Sequence, residues 1–212
     1  MSTFHPHPDE HGQPVLLRSP SVCSGPQCWD DPQTVVTVIP ASQVPPALNA
    51  IALADWHDVP VSIEGWNEVE GQLAFNEPPF IVPAGKAPAS GVVIIEDDGR
   101  IWLVSPSNAF GGYRNTFPKG RIESGMHRQA SAIREAFEES GLKVEIAGFL
   151  ADSSRTLTFT RYYLARRTGG NPASMGWESQ AVHLVPPHAL ALFLTHPNDL
   201  PLLAAIAALN AG

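Results

Sequence analysis

The chain has 212 residues, 43% of them hydrophobic, enough for one sizeable core with a small appendage beside it. A formal charge of −8 excludes general affinity for DNA or RNA, which depends on Lys and Arg neutralising phosphates. The apolar stretch at 200–209 falls short of the roughly 20 residues that a membrane span needs. Residues 1–10 lack the basic start and apolar run of a secretion signal, so a cytoplasmic protein with no membrane partner is expected.

Charge is unevenly spread. Between Arg114 and Arg167 there are ten Lys/Arg against six Asp/Glu, whereas the rest of the chain has three against fifteen. A compact polyanion is a plausible ligand for the basic stretch, and solvated arginines on strand and helix faces are the plainer reading of part of it.

In chain order, residues 1–33 hold six prolines and little periodic apolar pattern, which predicts a flexible Pro/His-rich arm with no part in the core. Cys23 and Cys28 lie in it, downstream of His5, His7 and His11. Their spacing is not that of a zinc knuckle, and free thiols are the expectation. Residues 35–39 form a β-branched run closed by Pro40, and Ser42 is placed to cap a helix ending near Trp56. Residues 34–85 therefore read as a strand-helix extension, mixed in pattern from 61 to 80. The Pro-rich segment 78–88 marks the boundary of a main domain at 86–212.

In that domain, residues 91–95 and 101–104 flank Asp97-Asp98-Gly99 and predict a hairpin. A loop at 110–120 leads to a helix from about His127 to Ser140, closed by Gly141. Strands are predicted at 143–150, 156–165 and 181–185, followed by two helical segments within 187–209 split at His196-Pro197. This mixture implies a layered α/β domain with a mixed sheet. Tyr162 and Tyr163 must point to opposite faces of their strand, so at most one lines a site. Trp102, Phe159 and Trp177 are expected in the core.

The chemistry concentrates on the helix. At 100° per residue, Glu135, Glu138 and Glu139 fall within about 100° of one another, while Ala130, Ile133 and Phe137 take the opposite side. The apolar side gives the helix a packing face and leaves the acids toward a cleft or water. Three mutually repelling carboxylates call for a cation, and hard oxygen donors at this spacing suit Mg²⁺ or Mn²⁺ with water and phosphate oxygens. A solvated acidic face is the alternative for the helix taken alone.

Its context is more specific. Residues 120–142, Gly-Arg-Ile-Glu-Ser-Gly-Met-His-Arg-Gln-Ala-Ser-Ala-Ile-Arg-Glu-Ala-Phe-Glu-Glu-Ser-Gly-Leu, resemble the 23-residue Nudix box. The box runs Gly, five residues, Glu, seven residues, Arg-Glu, an apolar residue, any residue, Glu-Glu, any residue, Gly and an apolar residue. Every specified position agrees except Met126, which stands at the first Glu. In the family that Glu braces the loop and the arginine, so the departure concerns the orientation of Arg134, with Glu123 near enough to substitute. Phe117-Pro118-Lys119-Gly120 also looks like the entry to the box in relatives acting on polyphosphates. The resemblance covers roughly residues 90–205, including residues 194–199, and residues 1–85 have no counterpart in it.

The resemblance implies an α/β/α sandwich and a hydrolase that cuts a phosphate-phosphate bond with Mg²⁺ or Mn²⁺. It also implies that Glu135, Glu138 and Glu139 are the metal-binding and catalytic residues, with one of them taking the proton of the attacking water. Gly120, Arg134 and Gly141 would be structural in the motif, Gly120 by allowing close backbone approach and unusual dihedrals. Glu178 matches in rough position an acid that some members use as a further ligand or base. Lys119, Arg155 and Arg161 are candidates for substrate phosphates, Arg as a planar fork and Lys as a point charge. Each of these four also reads as an ordinary surface charge.

The partner implied is a small molecule containing a diphosphate, and the family's common assembly is a homodimer. About fifteen residues past the box Leu157 stands where ADP-ribose hydrolases carry proline, and the NADH and coenzyme A motifs are not visible. Dinucleoside polyphosphates, diphosphoinositols and nucleoside diphosphate derivatives remain. The rival reading is a module weakened by Met126 that binds or senses a nucleotide, and a third is a scaffold whose N-terminal arm is the working part.

Overall fold

A computed structural model describes residues 3–107 and 112–209. Phe110 and Gly111, at the start of the expected loop 110–120, lie outside the described residues.

The middle layer consists of two sheets. One has four strands in the order β8 (Lys119–Arg121), β6 (Ala87–Ile94), β10 (Thr158–Gly170), β9 (Leu142–Ser154). Within it β10 runs parallel to β6, and the other pairings are antiparallel, which makes the sheet mixed. The other sheet is antiparallel, with the order β3 (Val36–Val38), β11 (Ser179–Val185), β7 (Ile101–Pro106).

Both faces of this layer are apolar, as expected when helices cover both. Val92, Ile94, Tyr163 and Ala165 join one core with Ala130, Ile133 and Ala136 of α3 (Arg128–Ser140). The alternate residues Val93 and Tyr162 join a second core with Leu190 of α4 (Leu190–Phe193) and with Leu202 and Ile206 of α5 (Leu200–Leu209). The result is the α/β/α sandwich expected. Both tyrosines pack, one in each core, and neither opens to a site.

Several expectations are corrected. The stretches at 91–95 and 101–104 do turn through Gly99, whose φ is +85°, but only one bridge, Ile95 to Ile101, joins them. Beyond it β6 and β7 part into different sheets, because each finds a better partner in β10 and β11. No helix follows Ser42. Instead β4 (Ala47–Leu48) and β5 (Ile51–Ala52) form a tight hairpin with Asn49 and Ala50 at φ +50° and +63°. Ala in the second left-handed position hides this turn from a search for Asn-Gly. The helix of the extension is α2 (Ile63–Asn67), capped by Ser62, whose Oγ accepts from Gly65 N.

The arm also departs from expectation. Trp29, on α1 (Gln27–Asp30), is buried against Trp102, and its carbonyl accepts from Arg100 Nη2 at 2.8 Å. A large indole can remove more apolar area from water than the surrounding prolines forgo. Strand β3 of the extension is hydrogen-bonded into the sheet of β11, so the extension and the main domain share a core. Trp102 is fully buried, while Phe159 and Trp177 are only half-buried, contrary to a core role for all three.

Candidate active site

The loop before α3 and the helix itself place the acids. Asn67 of the extension steadies the loop, accepting from His127 N at 2.7 Å and donating to Gly125 O at 2.8 Å. At the other end Gly141 adopts φ +71° and donates to Phe137 O at 2.7 Å, closing the helix as a left-handed cap.

Glu135 and Glu139 are each 8% exposed, and only Glu138 is open to solvent. Burial raises Glu135 well above the ordinary carboxylate range, and the charges of Glu139, Glu138 and Glu178 add to it. Burial likewise pushes Glu139 up to about 7, although Lys119 draws it down. Glu139 Oε2 accepts the backbone N–H of Lys119 at 2.9 Å.

Gly120 is required by close approach. A Cβ there would collide with the Glu135 carboxyl, whereas its φ lies outside the left-handed region, so the unusual dihedral expected of it is not used. Arg134 lies among the acids, with Nη2 2.6 Å from Glu123 Oε1 and 4.0 Å from Glu135 Oε1, and Nε 3.5 Å from Glu138 Oε2. Glu123 therefore meets the arginine. Met126, where the family carries its first Glu, is buried in the core instead.

Glu139 opens into a cleft of about 450 Å³, together with Lys119, Arg121, Arg155, Trp177 and Glu178. Arg155 is 4% exposed, pairs through Nη2 with Asp199 Oδ1 at 2.8 Å, and has its guanidinium over the rings of Tyr113 and Tyr162. Its Nε and Nη1 have no partner among the described residues.

The structure does not bring Arg161 here. It is fully buried among Asp152, Glu77 and the rings of Phe80 and Phe149, on the face of β10 opposite Tyr162. Its charge is spent on those carboxylates, which corrects its expected substrate role. Arg121, Trp177 and Asp199 were missed by sequence reasoning. Asp199 carried a signal, an acid at the mouth of an apolar helix, but nothing along the chain paired it with Arg155.

Among the described residues no group of three His, Cys, Asp or Glu side chains is arranged to hold a metal ion as placed. The three glutamates face separate partners: Glu135 meets Gly120, Glu138 faces Arg134 and Glu139 meets Lys119 N. The donor set itself fits a hard divalent cation, since it offers closely spaced, repelling carboxylate oxygens, and Mg²⁺ needs only one or two of these beside water and phosphate oxygens. No helix among the described residues is long and apolar enough to cross a membrane.

Fold and site together define an α/β/α domain whose loop-helix motif presents acids to a partly basic cleft. The NUDIX domain model matches residues 85–206, and the chain belongs to the Nudix family. A protein of Caulobacter vibrioides (strain NA1000 / CB15N) named RNA pyrophosphohydrolase is 33% identical over 95 residues, covering 44% of this chain and 52% of that protein. Its counterpart in strain ATCC 19089 / CIP 103742 / CB 15 matches to the same extent. The chain thus spans about half the length of the curated relatives it matches. The crystal structure of a NUDIX hydrolase from Nitrosomonas europaea superposes with a TM-score of 0.51 at 21% identity, covering 61% of this chain and 75% of that one, a likeness of fold alone.

Proposed function

We propose that this chain is a Mg²⁺- or Mn²⁺-dependent hydrolase that cuts the phosphoanhydride bond of a nucleoside diphosphate linked to another group. The observation that carries the reading is Glu139, a buried carboxyl raised to about 7 at the edge of a cleft that also holds Lys119 and Arg155. A carboxyl that gives up its proton near neutrality in the metal-free chain is available to bind a cation at physiological pH.

In this reading Glu135, Glu138 and Glu139 would hold the cation, which would neutralise phosphate oxygens and acidify the attacking water. Gly120 keeps the loop against Glu135, and Arg134, held by Glu123, orients the acid face. Lys119 and Arg155 attract the phosphate chain, and Asp199 fixes Arg155 from behind. Glu178, at the rim, is placed to assist as a further acid.

The candidate substrates are dinucleoside polyphosphates and, outside the nucleoside class, diphosphoinositols, to which the Caulobacter relative's name adds RNA. The rival reading, a weakened nucleotide sensor, drew its support from Met126. The Glu123–Arg134 pair of 2.6 Å removes much of that support, since the brace is supplied from a different position. A screen over these substrates, nucleotide sugars and deoxynucleoside triphosphates, read by chromatographic separation of the two phosphate-bearing products, is expected to give Mg²⁺-dependent turnover that Glu139→Gln lowers roughly 10³-fold. Tight nucleotide binding with no turnover on any of them would favour the sensor.

A further inference from the structure

The N-terminal arm, which lies before the family match, reaches the acid helix. Its strands β1 (Thr3–Phe4) and β2 (Leu16–Leu17) pair as a hairpin, and Asp9 Oδ1 holds the tip by accepting from His11 N and Gln13 N at 2.9 and 2.7 Å. Arg18 N then donates to Gln180 Oε1 at 2.6 Å, and Gln180 Nε2 donates to Ser107 Oγ at 3.2 Å. Ser107 Oγ donates in turn to Trp177 O at 2.5 Å, so the hairpin is tied to the rim of the cleft.

On that side lies a second cavity of about 420 Å³, lined by His7 and Glu10 of the hairpin together with Phe137, Glu138, Trp177 and Glu178. Trp177 and Glu178 line both cavities. Glu139 faces one and its neighbour Glu138 the other, so the acid helix serves both. Their charge differs. Lys119, Arg121 and Arg155 line the first cavity, whereas no Lys or Arg lines the second, which carries three carboxylates and the rings of His7, Phe137 and Trp177.

The first cavity offers three cationic side chains to a phosphate chain and the second offers none. A nucleobase suits the second, because its flat face stacks on aromatic rings and its amino and imino groups donate to a carboxylate. We propose that the hairpin completes a nucleoside pocket, with the base of a nucleoside polyphosphate against His7, Glu10 and Trp177. The phosphates cross the helix face toward Lys119 and Arg155. The proposal rests on the hydrolase reading for the position of the phosphates and adds which side takes the nucleoside.

The test is calorimetric titration of the full chain, in Mg²⁺, with adenosine and guanosine 5′-monophosphates, ribose 5-phosphate and inorganic pyrophosphate. Wild type is expected to bind a nucleotide more tightly than ribose 5-phosphate. Replacing both His7 and Glu10 by Ala should weaken nucleotide binding about tenfold and leave pyrophosphate within about twofold. Both residues are exposed, and Glu10→Gln serves as a milder second variant. Photolabelling by 8-azidoadenosine 5′-monophosphate should map to residues 3–18 or to Trp177. Unchanged nucleotide affinity in the double variant, equal weakening of pyrophosphate, or labelling confined to the Tyr113–Arg155 side would overturn the pocket. None of these outcomes bears on turnover. Loss of Mg²⁺-dependent hydrolysis as a reading, with nucleotide discrimination retained, would leave the pocket as a binding site only.

Discussion

The Glu96–Arg167 hub and the glutamate face of α3 both bury carboxylates, and they are built in opposite ways. Glu96 accepts from Arg167 Nε at 2.5 Å and Nη2 at 3.1 Å, from Trp102 Nε1 at 2.7 Å and from Asn49 Nδ2 at 3.0 Å. Glu77 is treated likewise: burial alone would raise it, but bonds from Gln129, Arg161, Tyr163 and Arg128 outweigh that and hold it below the usual range. On α3 the donors are too few for the charge. Glu139 has one backbone N–H, and a single arginine is spread over Glu123, Glu135 and Glu138. Unlike Glu96 and Glu77, these three are left short of donors, a deficit that the cation of the proposed reading would fill.

The largest expected effect breaks the satisfied region. Arg167→Leu leaves Glu96 buried without its partner and should cost about 3–5 kcal/mol in denaturant unfolding, with little effect on turnover per folded molecule. Glu139→Gln should do the reverse, lowering kcat roughly 10³-fold while the metal-free protein melts no lower than wild type. A large loss of stability in that variant would erase the contrast.

The pH dependence sharpens it. Glu139 in the folded chain holds its proton up to about 7, against 4.5 for the ordinary group. The folded state therefore binds more protons between these values, and the contribution of Glu139 to stability is lost as pH rises through that window. The stability of Glu139→Gln relative to metal-free wild type should accordingly grow from pH 4.5 to 7, by on the order of 3 kcal/mol at about 1.4 kcal/mol per pH unit. Excess Mg²⁺ should shrink the difference, and urea melts across this range measure it. The smallest effect falls on the brace. Glu123 is half exposed, so Glu123→Gln should change stability by less than about 1 kcal/mol while lowering turnover several-fold as Arg134 loosens.

Much of the domain was legible along the chain. Strong periodicity gave away α3, and Gly141 its end. The later strands were placed within a few residues, although β9 and β10 run longer than expected because their pairing continues past the apolar stretch. Misreadings came where partners decided the outcome. Val92 and Ile101 look like two sides of a hairpin locally, yet their strands pair with β10 and β11. Arg155 and Arg161 look alike on one strand hairpin, yet burial against Asp199 leaves Arg155 at the cleft and burial against Asp152 and Glu77 takes Arg161 away from it.

By itself the sequence determined the acid helix, because three glutamates at helical spacing and a closing glycine depend only on local geometry, and their pattern carries the family. The tertiary structure alone decided what those acids meet. The collision that makes Gly120 necessary, the aspartate behind Arg155 and the hairpin at the rim all join residues remote in sequence, whereas the brace of Arg134 by Glu123 was already suggested along the chain. Charges and cavities act through space, and no local pattern records which distant side chains will share a dielectric.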